Sequence, residues 1–134
     1  MYKFHKNGSL PQNNEIFVFG SNLMGLHGAG AARQALTYGA KYGCGIGLQG
    51  QTYAIPTKDK FLEVLPLVDI KNYINEFKQF TKDHKEMNFF VTAVGTGFAR
   101  YSHQDIAPLF KGCGENCSFP AEWQDFLTNQ GENK

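Results

Sequence analysis

The segment spanning residues 15–32, EIFVFGSNLMGLHGAGAA, constrains the fold of this chain more than any other. Ile16, Phe17, Val18 and Phe19 form an apolar run of β-forming residues, which reads as a buried strand. The run stops at Gly20, and further glycines follow at 25, 28 and 30 before small residues continue in a helical pattern. A strand feeding a glycine-rich loop that opens a helix presents backbone N–H groups to an anion. The glycines permit close approach and unusual dihedrals, and the start of the helix carries partial positive charge. A loop that holds an anionic ligand is therefore expected here.

The remainder of the chain alternates in the same manner. Residues 29–42 carry Ala, Leu and Tyr at helical spacing, with Gly43 as the expected C-cap. Glycines at 43, 45, 47 and 50 then make a turn-rich crossing into a short strand at 52–56. A long amphipathic helix follows, with Pro66 in its first turn and Val68, Ile70, Tyr73, Ile74, Phe77 and Phe80 on one face. Residues 88–94, NFFVTAV, read as a strand covered on both faces. Residues 95–101 form a second glycine-bearing loop. Ser102 and Asp105 have the spacing of a capping box that opens a helix through Phe110. A short strand at 116–119 precedes a terminal helix starting at Pro120, with Trp123, Phe126 and Leu127 toward the core. The β-α-β-α-β-α-β-α order predicts the α/β class: a mixed, mainly parallel sheet between helices, in a single domain spanning 1–134.

Composition excludes several functions. Thirteen Lys and Arg against twelve Asp and Glu leave no basic footprint for general nucleic-acid binding. No stretch approaches the roughly 18 apolar residues of a membrane span. The first fourteen residues hold no apolar run of signal-peptide type, so a soluble, cytoplasmic protein is expected. Three cysteines, an odd number, argue against a disulfide framework. Cys113 and Cys117 have a spacing that can begin a zinc site, but no second CxxC or HxxxH completes it. Free thiols or a labile local bridge are expected there, with no metal and no cofactor. Cys44, set between glycines, reads as a small loop residue.

Ligands in such sheets collect at the carboxyl ends of strands. Both glycine loops leave predicted strands at those ends, and Thr57, Lys58 and Asp59 add a third. One pocket with backbone donors, an amide side chain, a lysine and an arginine suits a diphosphate or a phosphoribosyl group. Other nucleotide fingerprints fail. No Lys-Ser/Thr pair follows the first glycines, as a P-loop requires. GLHGAG does not fit GxGxxG, and no acidic residue lies about 20 positions on to hold a ribose. Ser21 is not in a GxSxG elbow.

These residues resemble a macro domain, the ADP-ribose-binding family. The first loop is similar to that family's signature, an Asn after the core strand followed by a glycine-rich stretch: Asn22, then Gly25, Gly28, Ala29, Gly30 and Ala31. The second loop, VGTGFARY before SHQDIAPLF, resembles the family's diphosphate loop. TYAIPTKD matches the intervening strand, so the resemblance covers roughly residues 16–110 in order. It is nearest the branch typified by terminal ADP-ribose glycohydrolase, in which the middle strand ends in a catalytic lysine. Small phage-encoded macro-like proteins with a VFGSNL–HGAGAA pattern also look similar. The resemblance implies a compact three-layer fold, shortened at its N-terminus because the family's adenine-contacting Gly-Asp element has no counterpart before Glu15. It implies binding of ADP-ribose, a related NAD-derived nucleotide or an ADP-ribosylated macromolecule. Two functions follow as alternatives: hydrolysis of ADP-ribosyl linkages, or a non-catalytic module that reads or sequesters such a nucleotide.

The residue assignments carry the same alternatives. The resemblance puts Gly20, Ser21, Asn22, Gly25 and residues 28–31 around the distal ribose and nearby phosphate. It puts Gly95, Thr96, Gly97, Phe98, Ala99, Arg100 and Tyr101 along the diphosphate. Asn22 orients ribose hydroxyls or a water, or else bonds its own turn. His27 is a general base within the loop or a surface histidine. Lys58 is a nucleophile or a solvated charge at a strand end. Arg100 clamps phosphate or joins a surface ion pair, and Tyr101 stacks on the ligand or packs the loop. Ala99 stands where the glycohydrolase branch has the Asp that resolves its lysyl intermediate, which weakens the hydrolytic reading.

Overall fold

A computed structural model describes residues 2–12 and 14–128; residues 1, 13 and 129–134 of the expected domain lie outside this description. Among the described residues six strands form one mixed sheet: β1 (Lys3–His5), β2 (Glu15–Asn22), β3 (Gly47–Gln49), β4 (Thr52–Lys58), β5 (Asn88–Val91) and β6 (Cys117–Pro120). Their order is β1-β6-β5-β2-β4-β3, and every neighbouring pair is parallel except β3 with β4. The helices are α1 (Gly30–Ala35), α2 (Leu67–Asp83), α3 (His103–Ile106) and α4 (Gln124–Thr128). Among the described residues no helix is long and apolar enough to cross a membrane.

The alternation of β2 sorts the core into two layers. Ile16 and Val18 join Ile70, Ile74 and Phe77 of α2 and the aromatic group Phe110, Phe119 and Trp123 on one face. Phe17 and Phe19 join Ala35 of α1, with Ala54 and Phe90, on the other. Strands buried on both faces read as continuous apolar runs, which is why β2, β4 and β5 show no polar alternation.

Several elements differ from the sequence reading. β1 was not expected; it pairs in parallel with β6 and gives the chain an N-terminal strand. The three-residue β3 replaces part of the turn-rich crossing. The helix expected over 29–42 ends at Ala35 and tightens into a 3-10 turn at Leu36–Tyr38. Gly39, not Gly43, stops it, with φ +108 and its Cα packed against Gly50. Pro66 is the N-cap of α2 and not part of its first turn. Val68 is 62% exposed, two positions from Ile70 and therefore on the opposite side of the helix. The capping box of Ser102 and Asp105 is present, although α3 gives way to a 3-10 turn over Ala107–Phe110.

Lengths at the sheet centre position the site. β5 pairs with β2 only as far as Val18, whereas β2 continues to Asn22 alongside β4. Beyond Val91 the chain turns away: Thr92 holds the Val18 carbonyl through both its N–H (3.1 Å) and its hydroxyl (2.7 Å). A gap opens at the carboxyl end of the sheet, floored by the last residues of β2.

Candidate functional site

A cleft of about 600 Å³ fills this gap. The end of β2 contributes Gly20, Ser21 and Asn22, and the first loop contributes Leu26 and residues 28–32. The end of β4 supplies Thr57 and Lys58, and residues 92–99 complete the opposite wall. The two glycine loops and the third strand end thus meet in one place. The volume lies within the roughly 300–1,000 Å³ of small-molecule sites.

A bulge places Lys58. The β2–β4 register runs Ser21 to Pro56 and then Asn22 to Lys58, leaving Thr57 as the extra residue. Pro56 has no N–H to continue a ladder, and bulges re-aim the side chains beyond them. The Thr57 hydroxyl donates to the Ser21 carbonyl at 3.2 Å, closing the irregularity. Lys58 Nζ lies 5.6 Å from the centroid of the Phe98 ring. Phe98 is 65% exposed and leans toward the first loop, where a Cβ on Gly30 would stand 3.0 Å from its Cε2. Lys58, Phe98 and Gly30 therefore bring three chain segments together at the mouth.

The polar inventory of the cleft is unusual. Lys58 is the one ionisable side chain among the described lining residues, and no carboxylate faces it. The hydroxyls of Ser21, Thr57, Thr92 and Thr96 all donate to main-chain carbonyls, so they offer a ligand lone pairs and no proton. Donors must come from the backbone. Among the described residues the N–H groups of Gly97, Phe98 and Ala99 meet no main-chain acceptor. Ala29, the N-cap of α1, has no side chain able to accept from the first turn that follows it.

Individual expectations fare differently. Asn22 lines the cleft, but its amide donates to the Leu26 carbonyl and accepts from the Leu26 N–H, both at 3.0 Å. It fixes its own loop. His27 is neither a surface histidine nor part of the cleft lining: it is fully buried, with Nε2 donating to the Cys44 carbonyl at 3.1 Å. A general base must reach the reacting atoms, and this ring faces the protein. Gly25 also lies behind the cleft, with φ +71 and its Cα packed on the Gly43–Cys44 backbone. Arg100 adopts φ +67, is exposed and does not line the cleft, so the expected arginine clamp is absent from the lining. Tyr101 donates its hydroxyl to the Leu65 carbonyl at 2.7 Å, which is loop packing. Asp59 is a turn residue, accepting from the N–H groups of Phe61 and Glu63.

Leu26, Leu62 and Val94, which make much of the cleft apolar, carried no signal in the sequence. Glycines at 43 and 45 did carry one, read only as a turn. Cys113 and Cys117 are free thiols; burial and a hydrogen bond with Cys117 push the Cys113 thiol well above the usual range. Among the described residues no cluster of three or more His, Cys, Asp or Glu could hold a metal. Comparison of the chain with protein-family models, curated proteins and solved structures finds no match.

Proposed function

We propose that the cleft binds ADP-ribose or a related NAD-derived nucleotide, in a fold of macro-domain type. The observation that carries this reading is the convergence of two glycine loops and the Lys58 strand end on one cleft whose available donors are backbone N–H groups. Backbone donors and a single cation suit a diphosphate, which accepts hydrogen bonds in several directions and brings its own negative charge. The inward-donating threonines leave oxygens that accept from ribose hydroxyls. The apolar portion of the wall, from Leu26, Leu62 and Phe98, suits the faces of a sugar or base.

The non-catalytic alternative is favoured by a specific feature. Among the described residues the lining offers no carboxylate to activate water or to resolve a lysyl adduct, Ala99 stands at the second-loop position, and His27 faces away. A module that reads or sequesters the nucleotide needs none of these groups. Two assays separate the readings. Calorimetry with ADP-ribose tests binding, and release of ADP-ribose from a modified protein or nucleic acid tests hydrolysis. Saturable binding with no release is the expected pair of results; efficient multiple turnover would restore the hydrolase.

A further inference from the structure

The first loop does not stand by itself; it is hung on residues 41–46 from behind. Gly43 N–H donates to the Gly25 carbonyl at 3.0 Å, and Ser21 Oγ donates to the Gly45 carbonyl at 2.5 Å. His27 Nε2 donates to the Cys44 carbonyl at 3.1 Å, and the Tyr42 hydroxyl donates to the His27 carbonyl at 3.3 Å. Two close approaches lock the same joint. A Cβ on Gly25 would stand 2.5 Å from the Gly43 carbonyl carbon, and one on Gly45 would overlap the Asn22 carbonyl oxygen. No residue of 41–49 lines the cleft.

One buried side chain shapes this brace. Gln49, 5% exposed, accepts from the Lys41 N–H at 2.8 Å and donates to the Cys44 carbonyl at 3.0 Å. The Cys44 carbonyl thus receives both Gln49 Nε2 and His27 Nε2. Because a carbonyl can only accept, Nε2 carries a proton, and the buried Nδ1 meets no hydrogen-bond partner among the described residues. An unpaired buried acceptor is unfavourable, so the ring is held in place by the contacts around it and not by full satisfaction of its own nitrogens. Phe19 and Tyr42, with ring centroids at 5.3 and 5.9 Å, supply that enclosure.

We infer that Gln49 is a positioning residue for the ligand site, acting through the Cys44 carbonyl and His27 to fix the first loop without touching the ligand. The inference rests on the assignment of that loop to the nucleotide site. It assigns the glycine-rich segment 43–47 a purpose: its small residues let two backbones approach closely enough for the brace to form.

The test compares wild type with Gln49→Glu, which keeps the acceptor and the shape but removes the donor, and with Gln49→Ala. Amide exchange is followed at Gly25, Leu26 and Gly43, whose N–H groups are bonded within the loop joint, and at Tyr101 as a reference in the second loop. Exchange at the three loop amides should rise at least about tenfold in both variants while Tyr101 is unchanged, and affinity for ADP-ribose should fall about tenfold. Unchanged loop exchange in folded Gln49→Glu would overturn the inference, as would an equal rise at all sites. If wild type itself shows no ADP-ribose binding, the proposed function fails; the exchange comparison still decides whether Gln49 fixes the loop.

Discussion

Gly28 and Gly30 sit two residues apart in the same loop, yet the structure assigns them opposite sensitivities. Gly28 lies outside the left-handed region, and a Cβ there would meet nothing within 4 Å. Gly→Ala at a compatible site removes unfolded-state freedom and stabilises by roughly 0.4–1 kcal/mol. Gly30 has φ +60, and its added Cβ would press on the Phe98 ring at 3.0 Å. An alanine there meets the left-handed penalty of roughly 1–2 kcal/mol, while Phe98 must yield. The two alanine variants should therefore differ by about 1.5–3 kcal/mol, or about 5–12 °C in Tm for a chain of this size. Binding should rank them otherwise. Gly28→Val fills open space on the cleft wall and keeps phosphate from nearby N–H groups. Loss of two hydrogen bonds to a charged group, roughly 1.5–3 kcal/mol each, weakens ADP-ribose binding by at least about 100-fold. Thermal melts and calorimetry on the same preparations read both effects. Equal Tm for Gly28→Ala and Gly30→Ala, or wild-type affinity in a folded Gly28→Val protein, would refute the reasoning.

Gly25→Ala should be the most destabilising change in the loop, because positive φ combines with overlap on the Gly43–Cys44 backbone; a Tm no lower than that of Gly30→Ala would contradict this. Lys58→Ala removes the one cation among the described lining residues and should weaken nucleotide binding by about 10–100-fold, with a shallower salt dependence in titrations at rising ionic strength. His5 stacks on Phe90 at 3.8 Å and its Nδ1 lies 2.7 Å from Ser118 Oγ, and burial lowers its pKa below 6.5. Since the unfolded chain then binds the proton first, stability is complete above pH 6.5 and declines as pH falls below it. Denaturant melts from pH 7.5 to 5 should show this decline, and His5→Phe, which keeps the stack, should flatten it.

What the sequence revealed and what it hid have physical causes. The joint from β2 into the first loop was legible because four apolar residues in a row, ended by glycine, leave few alternatives to a buried strand. The meeting of the loops followed from a general property of parallel sheets, that loops at strand carboxyl ends gather near one another. β1 and β3 were hidden because three residues cannot display a period. The end of α1 was misread because Gly39 and Gly43 are equally good stop signals in sequence, and only packing against Gly50 selects the first. Among the glycines expected at the ligand, 20, 28, 30, 95 and 97 line the cleft, whereas Gly25 packs behind it. Asn22, through both amide atoms, His27, through Nε2, and Tyr101, through its hydroxyl, all bond main-chain partners within the fold. A polar residue in a glycine-rich loop has two uses, holding the loop or meeting the ligand, and sequence pattern does not distinguish them. The brace at 41–49 was visible as a run of glycines, but its purpose depends on a partner about twenty residues away.

The proposed function requires that backbone donors of the two loops hold the diphosphate of an ADP-ribose-type nucleotide. Isothermal titration of the wild-type chain with ADP-ribose, alongside Gly28→Val as a folded control, tests it most directly. One-to-one binding with Kd below ~100 μM, about 5.5 kcal/mol, is expected for the wild type and is lost in the variant. Absence of heat at millimolar ADP-ribose, or identical isotherms for the two proteins, would contradict it.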